Sequence, residues 1–334
     1  MAHEDLMKKI FKLYPFIVIF VFIILISLHF VYSVFVPLLI GERKEIYINP
    51  GTKIWFLAQN LEKNGIIRSA FYFRFLVNLR NSKIKAGIYE FSGYYNLLDV
   101  IQTLEKGGRG VKITIIEGLT LKEIEKLLKE KGFNVDLAKY KLADFSEIDL
   151  KNYFPAESSL EGFLAPDTYE FFPNDDEKTI VQKILKNFSR KYLPEILKGM
   201  DFNLYQRLIL ASIVEKEAKY QDDFPIIAGI LIKRLKNNKQ LEVDAALVYE
   251  KCGFVFCQDA LNKKDLIKDS PYNTYKKLGL TPTPISNPGI LAIKSVNNPV
   301  QTDYWYYLTD SEGRAIFAKT FKEHQENIKK YLKR

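Results

Sequence analysis

From Phe16 to Val36 the chain runs for 21 residues without a formal charge, FIVIFVFIILISLHFVYSVFV, and this run limits its fate more than any other feature. As a helix the run rises about 31 Å, enough to cross a hydrocarbon core of roughly 30 Å. It is too long and too uniformly apolar for a buried core helix. A cleaved signal peptide fits less well: the stretch exceeds a normal h-region, and no small-x-small site precedes the charged GERKE segment. Lys8, Lys9 and Lys12 before the run balance Arg43, Lys44 and Lys53 after it, so loop charge does not set the orientation. A short basic tail ahead of a first apolar segment is the layout of a signal anchor. It puts the amino terminus in the cytoplasm and everything after the span outside.

About 290 residues follow the span, enough for a sizeable core in two domains. Lys and Arg number 49 against 40 Asp and Glu, a net charge of +9. Such a surplus can serve nucleic acid. Beyond a membrane it suits an anionic polymer or a lipid surface instead, and no nucleic-acid partner is expected. Solubility explains it equally well, because no Lys/Arg block stands out. Cys252 and Cys257 in KCGFVFCQ can close a small disulfide if the segment is a hairpin, or remain two free thiols. His3, His29 and His324 are scattered, and G-x-S-x-G, HExxH and P-loop patterns are missing, so neither metal nor cofactor is expected.

Three segments share a helix that ends in Lys and Gly: 54–65, 96–108 and 121–132. Two of them follow a short β-branched run and a glycine, at 45–52 and 113–120, and Thr120 with Glu123 forms a capping box. A helix over 70–79 and a strand over 86–92 complete a small α/β module at 44–108. From 150 onward the pattern predicts helices from Glu177 to Tyr192, Leu204 to Lys219 and Phe224 to Lys236, then a long irregular stretch over 240–289. Asn287-Pro288 reads as an N-cap with proline at the first helical position, opening a helix to Val296. A hairpin, YWYYLT and RAIFAKT turned by DSEG, and a helix capped by Thr320 and Glu323 end the chain. The mixed order predicts an α+β fold.

The segment RLILASIVEKEAKY, 207–220, carries two carboxylates about 200° apart on a helix, too divergent for a close catalytic pair. Glu217 shares a stripe with Leu210, Ile213 and Val214, and Glu215 can pair with Lys219 at i,i+4. An apolar surround and the nearby helix end both favour the protonated form of Glu217, as a proton donor to a glycosidic oxygen requires. A solvated residue near a helix end fits the same position.

Several segments in order resemble the YceG-like endolytic murein transglycosylases: EGLTLKEI (117–124), LEGFLAPDTYEF (160–171), ILASIVEKEA (209–218), AGILIKRL (228–235), SPYNTYKKLGL (270–280), PISNPGILAIKSV (284–296) and FAKTFKEHQENI (317–328). The resemblance implies a cytoplasmic tail (1–15), a single-pass inner-membrane anchor (16–40), a LysM-like module (41–110) and an extracytoplasmic catalytic domain (111–334). It implies a lyase that cuts the MurNAc–GlcNAc β-1,4 bond inside peptidoglycan strands, leaves 1,6-anhydroMurNAc ends and terminates strands made by wall synthases. Glu217 falls on the family's catalytic Glu. Glu161, Asp167, Thr168, Tyr169, Asp244, Asn273, Thr274, Tyr275 and Asn287 fall on the motifs expected to hold substrate, though turn formation and capping explain the PDTY and SNPG residues as well. The segment LEVDAALVYE (241–250) departs from the family pattern at Glu242, Ala245 and Ala246, and TPTPISNPG departs at Thr281 and Thr283. The other reading of the same features is a membrane-anchored peptidoglycan-binding scaffold that does not cut. A hydrolytic muramidase is a third.

Overall fold

The computed structural model describes residues 2–49, 51–173, 175–199, 201–257 and 261–332, without the side chains of 2–13 and Pro15. The side chains of His3, Lys8, Lys9 and Lys12, and all of Arg334, therefore lie outside the description. The chain separates into two compact units, residues 1–111 with 171–174, and residues 112–170 with 175–334. The fold is mixed α+β.

In the first unit α1 (Ala2–Phe35) contains the apolar run; Phe16–Phe35 is long and apolar enough to cross a membrane. β1 (Leu38–Ile48) follows at once, then α2 (Ile54–Lys63), α3 (Ala70–Leu79), β2 (Gly87–Tyr95) and α4 (Leu97–Lys106). β1 and β2 are antiparallel, Leu38 opposite Tyr95 and Ile48 opposite Gly87, with an irregularity between Ile40 and Lys44. Alternation along β1 and β2 turns Ile46, Ile48, Tyr89 and Phe91 inward against Leu57, Leu61, Phe73, Val77, Val100 and Leu104 of the helices. Asn96 and Asp99 close a capping box that starts α4.

Apart from Val111 and Phe171, which fall in the first unit, the second unit holds β3 (Val111–Ile115), α5 (Leu121–Glu130), β4 (Asp167–Phe171), α6 (Glu177–Asn187), α7 (Leu193–Ile196), α8 (Leu204–Glu217), α9 (Asp223–Lys236), α10 (Asp244–Lys251), α11 (Lys263–Ile267), α12 (Ile290–Asn297), β5 (Tyr306–Thr309), β6 (Ala315–Ala318) and α13 (Phe321–Tyr331). The strands pair as β3–β4 and as the antiparallel β5–β6 hairpin. The Thr120–Glu123 and Thr320–Glu323 capping boxes are both formed. A π-helical turn, Phe188–Tyr192, joins α6 to α7, so the expected helix carries on past Tyr192.

Two expectations are corrected. The stretch 240–289 is not irregular throughout: it contains α10 and α11, and the Cys252–Cys257 disulfide closes the turn that ends α10. Asn287 does not cap α12. The cap is Gly289, because the Asn287 side chain is held in the interior by other partners.

Candidate active site

The core of the second unit is α8 packed against α9 and α12. Every residue of α8 from Arg207 to Val214 is buried, whichever way it points. The helix stops at Glu217, leaving that side chain at its carboxyl end, where α8 meets the start of α10 and the β5 strand. The Tyr307 hydroxyl donates to Glu217 Oε2 at 2.9 Å. The backbone N–H of Ala245, in the first turn of α10, also favours the charged form of this carboxyl. Burial is the largest influence and pushes the Glu217 carboxyl up to about 7. The charge of Asp244 adds to the rise, and the Tyr307 hydroxyl and the Ala245 N–H oppose it.

Glu217 opens on a cleft of about 730 Å³. Its walls carry Lys216, Phe256, Asp244, Tyr275, Trp305 and Tyr306, an aromatic and polar lining suited to stacking on sugar rings. Arg234, nearly fully buried, ties the walls together. It donates to the carbonyls of Gln240 at 2.7 Å and Trp305 at 2.9 Å, and pairs with Glu242. Asp244 accepts from the Tyr275 hydroxyl at 2.6 Å. Lys216 lies 3.7 Å from the centre of the Phe256 ring, and burial pushes its amine down.

Glu217, Asp244 and Tyr275 thus meet in one cleft. The other residues singled out from the sequence lie elsewhere. Glu161 is enclosed: it accepts from the Leu121 N–H at 3.0 Å, the Tyr249 hydroxyl at 2.9 Å and Asn287 Nδ2 at 3.0 Å. Burial pushes its carboxyl up to about 8. Asn287 also donates to the Leu119 carbonyl and accepts from the Leu164 N–H, so it joins three chain segments. Gly162 sits at φ +90°, and a Cβ there would lie 2.6 Å from Pro284, which explains the glycine after Glu161. Asn273 and Thr274 are buried and fold their own loop: Asn273 donates to the carbonyls of Leu266 and Lys268, and Thr274 brackets Val243. Asp167, Thr168 and Tyr169 border a separate hollow beside α6, where Asp167 accepts from Asn187 and pairs with Lys191.

Glu215 differs from its expected surface pairing. It is partly buried and accepts from the Gly289 N–H at 2.8 Å, tying α8 to the start of α12, while Lys219 reaches the Glu312 carbonyl instead. Tyr307, Trp305 and Tyr306 were missed as site residues, because the YWYYLT run reads from sequence as a hairpin strand and no more. Arg234 stands beside Lys233 in the AGILIKRL segment, where a charged pair at the end of an apolar run was the available signal. Among the described residues no group of His, Cys, Asp and Glu side chains could hold a metal ion.

The YceG-like family model matches residues 46–330. The chain is 33% identical over 307 residues to an endolytic murein transglycosylase of Bacillus subtilis (strain 168), covering 86% of this chain and 84% of that protein. It is 27% identical over 321 residues to an endolytic murein transglycosylase of Streptococcus pneumoniae serotype 2, spanning 85% of this chain and 58% of that one. Among solved structures, a yceG-like protein of Listeria monocytogenes superposes with a TM-score of 0.53 at 30% identity, covering 86% of this chain and 99% of that one. Matched along most of its length in sequence and in structure, the chain belongs to the YceG-like family.

Proposed function

We propose that the chain is an endolytic murein transglycosylase with Glu217 as its one acid/base. The observation that carries this reading is a carboxyl at the end of α8 that faces an aromatic cleft and accepts from the Tyr307 hydroxyl, with burial pushing it up to about 7. Near neutral pH such a group both gives and takes a proton. Glu217 protonates the glycosidic oxygen as the C1–O bond breaks. Its carboxylate then takes the proton of the C6 hydroxyl of the same sugar, and O6 closes on C1 to give the 1,6-anhydro end. Asp244 and Tyr275 line the cleft as substrate contacts. Glu161, Asn287, Asn273 and Thr274 hold the walls from behind, and the PDTY residues stand apart.

The apolar part of α1 supports an anchor at 16–40 after a cytoplasmic tail at 1–15, with the catalytic part at 111–334 outside the inner membrane. The two-stranded sheet and three helices at 41–110 support a LysM-like module beside the glycan strands. The wall synthases that supply those strands are the expected partners. Digestion of purified sacculi tests the reading. Products released from inside strands carry anhydroMurNAc ends by mass spectrometry. Ordinary reducing ends mean that water is the nucleophile, and an inert protein points to the scaffold.

A further inference from the structure

α1 does not end in a linker. Its Ser33 and Val34 are buried in the first unit, and Phe30 packs on the same core. α3 starts beside these last turns. The Tyr72 ring meets Phe30 edge-on at 5.2 Å, and its hydroxyl lies 3.1 Å from His29 Nδ1. Arg68, just ahead of α3, donates to the Pro37 carbonyl at 2.8 Å and stands 4.7 Å over the Tyr32 ring. His29 is six residues before the end of α1, about 9 Å back along the axis. The first turn of α3 is therefore level with the last part of the span.

The outer face of α3 is apolar. Phe71, Phe75 and Leu79 recur every fourth residue and are 69%, 48% and 69% exposed, while Phe73, Leu76 and Val77 face inward. Arg74 and Asn78 border the stripe and are exposed. Single exposed apolar residues need no explanation, but an aligned row beside a membrane span does. The end of the span points the same way. The apolar stretch of α1 runs to Phe35, which is exposed, while Ser33 and Val34 are enclosed by the first unit, so the unit begins where the span ends. An interfacial helix seats its apolar face about 5–10 Å into the headgroup and acyl boundary, the depth at which those last turns leave the hydrocarbon.

We propose that α3 is a membrane-interface helix whose outer face, Phe71, Phe75 and Leu79, is occupied by the lipid bilayer that holds α1. Arg74 reaches the phosphate layer from the edge of the stripe. The first unit then has two attachments to the membrane and rests on its surface. This rests on the anchor reading of α1.

The test uses the full chain reconstituted in phosphatidylcholine–phosphatidylglycerol vesicles, with one nitroxide at a time on Phe75→Cys, Leu79→Cys, Leu25→Cys or Glu326→Cys. Cys252 and Cys257 are joined to each other and do not take the label. Collision with oxygen reports lipid, and collision with a water-soluble nickel chelate reports water. The oxygen-to-nickel ratio at Phe75 and Leu79 is expected several-fold above that at Glu326, an exposed position on α13, and toward that at Leu25. A ratio equal to Glu326 while Leu25 reads lipid overturns the interface and leaves the anchor standing. Shielding of Phe75 and Leu79 from both reagents overturns it in favour of a protein occupant such as a second copy. A water-like Leu25 removes the anchor and the interface together.

Discussion

Tyr307 and Ala245 temper the acidity that burial sets for Glu217. The Tyr307 hydroxyl donates to its carboxyl, the Ala245 N–H acts in the same sense, and both favour the charged form against a larger upward push from burial. Removing one donor must raise the value further. Tyr307→Phe therefore moves the alkaline limb of the kcat/KM pH profile upward from about 7, since that limb marks loss of the proton on the free enzyme. A downward or unchanged limb contradicts the role given to Tyr307. Glu161 makes a second residue-scale prediction. Its carboxyl is pushed up from 4.5 to about 8, so the folded chain binds a proton there that the unfolded chain has released. The stability this gives is complete below about 4.5 and is lost as pH rises through about 8. Between those values the slope from this one group is roughly 1.4 kcal/mol per pH unit. Glu161→Gln should flatten the fall, measured as thermal unfolding of the detergent-solubilised chain at several pH values. An unchanged slope contradicts the account.

The elements were legible wherever a local rule governs them. α3 spans the expected residues 70–79, and the capping boxes at Thr120 and Thr320 start helices where Ser/Thr-x-x-Glu says they should. The failures come where distant partners override the local rule. Asn-Pro-Gly looks like a cap, but the Asn287 amide is claimed by Leu119, Leu164 and Glu161. The opposite faces of Glu215 and Glu217 followed from helical geometry. Which face meets water did not, because α8 is buried all round and its apolar pattern carries no preferred side. α10 begins at Asp244 after Val243, which offers no side-chain cap, so no capping signal in the sequence announced it. Close approach between elements is equally silent in a pattern. A Cβ on Gly229 of α9 would lie 2.1 Å from the Val300 carbonyl oxygen. Backbone cannot yield as a flexible side chain can, so Gly229→Ala should cost about 1–3 kcal/mol or more of stability. Chemical denaturation measures this, and a neutral result means that α9 and the segment before β5 are not packed as described.

At the scale of the molecule, the carboxylate proposed as the acid stood out in the sequence and the cleft around it did not. Glu217 emerged from one helix and one family motif. Its surroundings come from α8, α10 and the hairpin, which lie far apart in sequence: Tyr307 is 90 residues beyond Glu217. Motif residues such as Glu161 and Asn287 looked like substrate contacts because polar groups on turn-rich loops do that work. Here they hold the loops to one another. The central claim is that Glu217 alone moves both protons. It is tested most directly by digesting sacculi with wild type, Glu217→Gln and Glu215→Gln, counting anhydro ends by mass spectrometry with circular dichroism as the folding control. Gln at 217 keeps the shape but has no acidic proton, so the rate should fall by about 10²–10⁴-fold or more with the fold intact. Gln at 215 still offers an oxygen to the Gly289 N–H and should keep most of the activity. A folded Glu217→Gln protein that still releases anhydro ends near the wild-type rate contradicts the account.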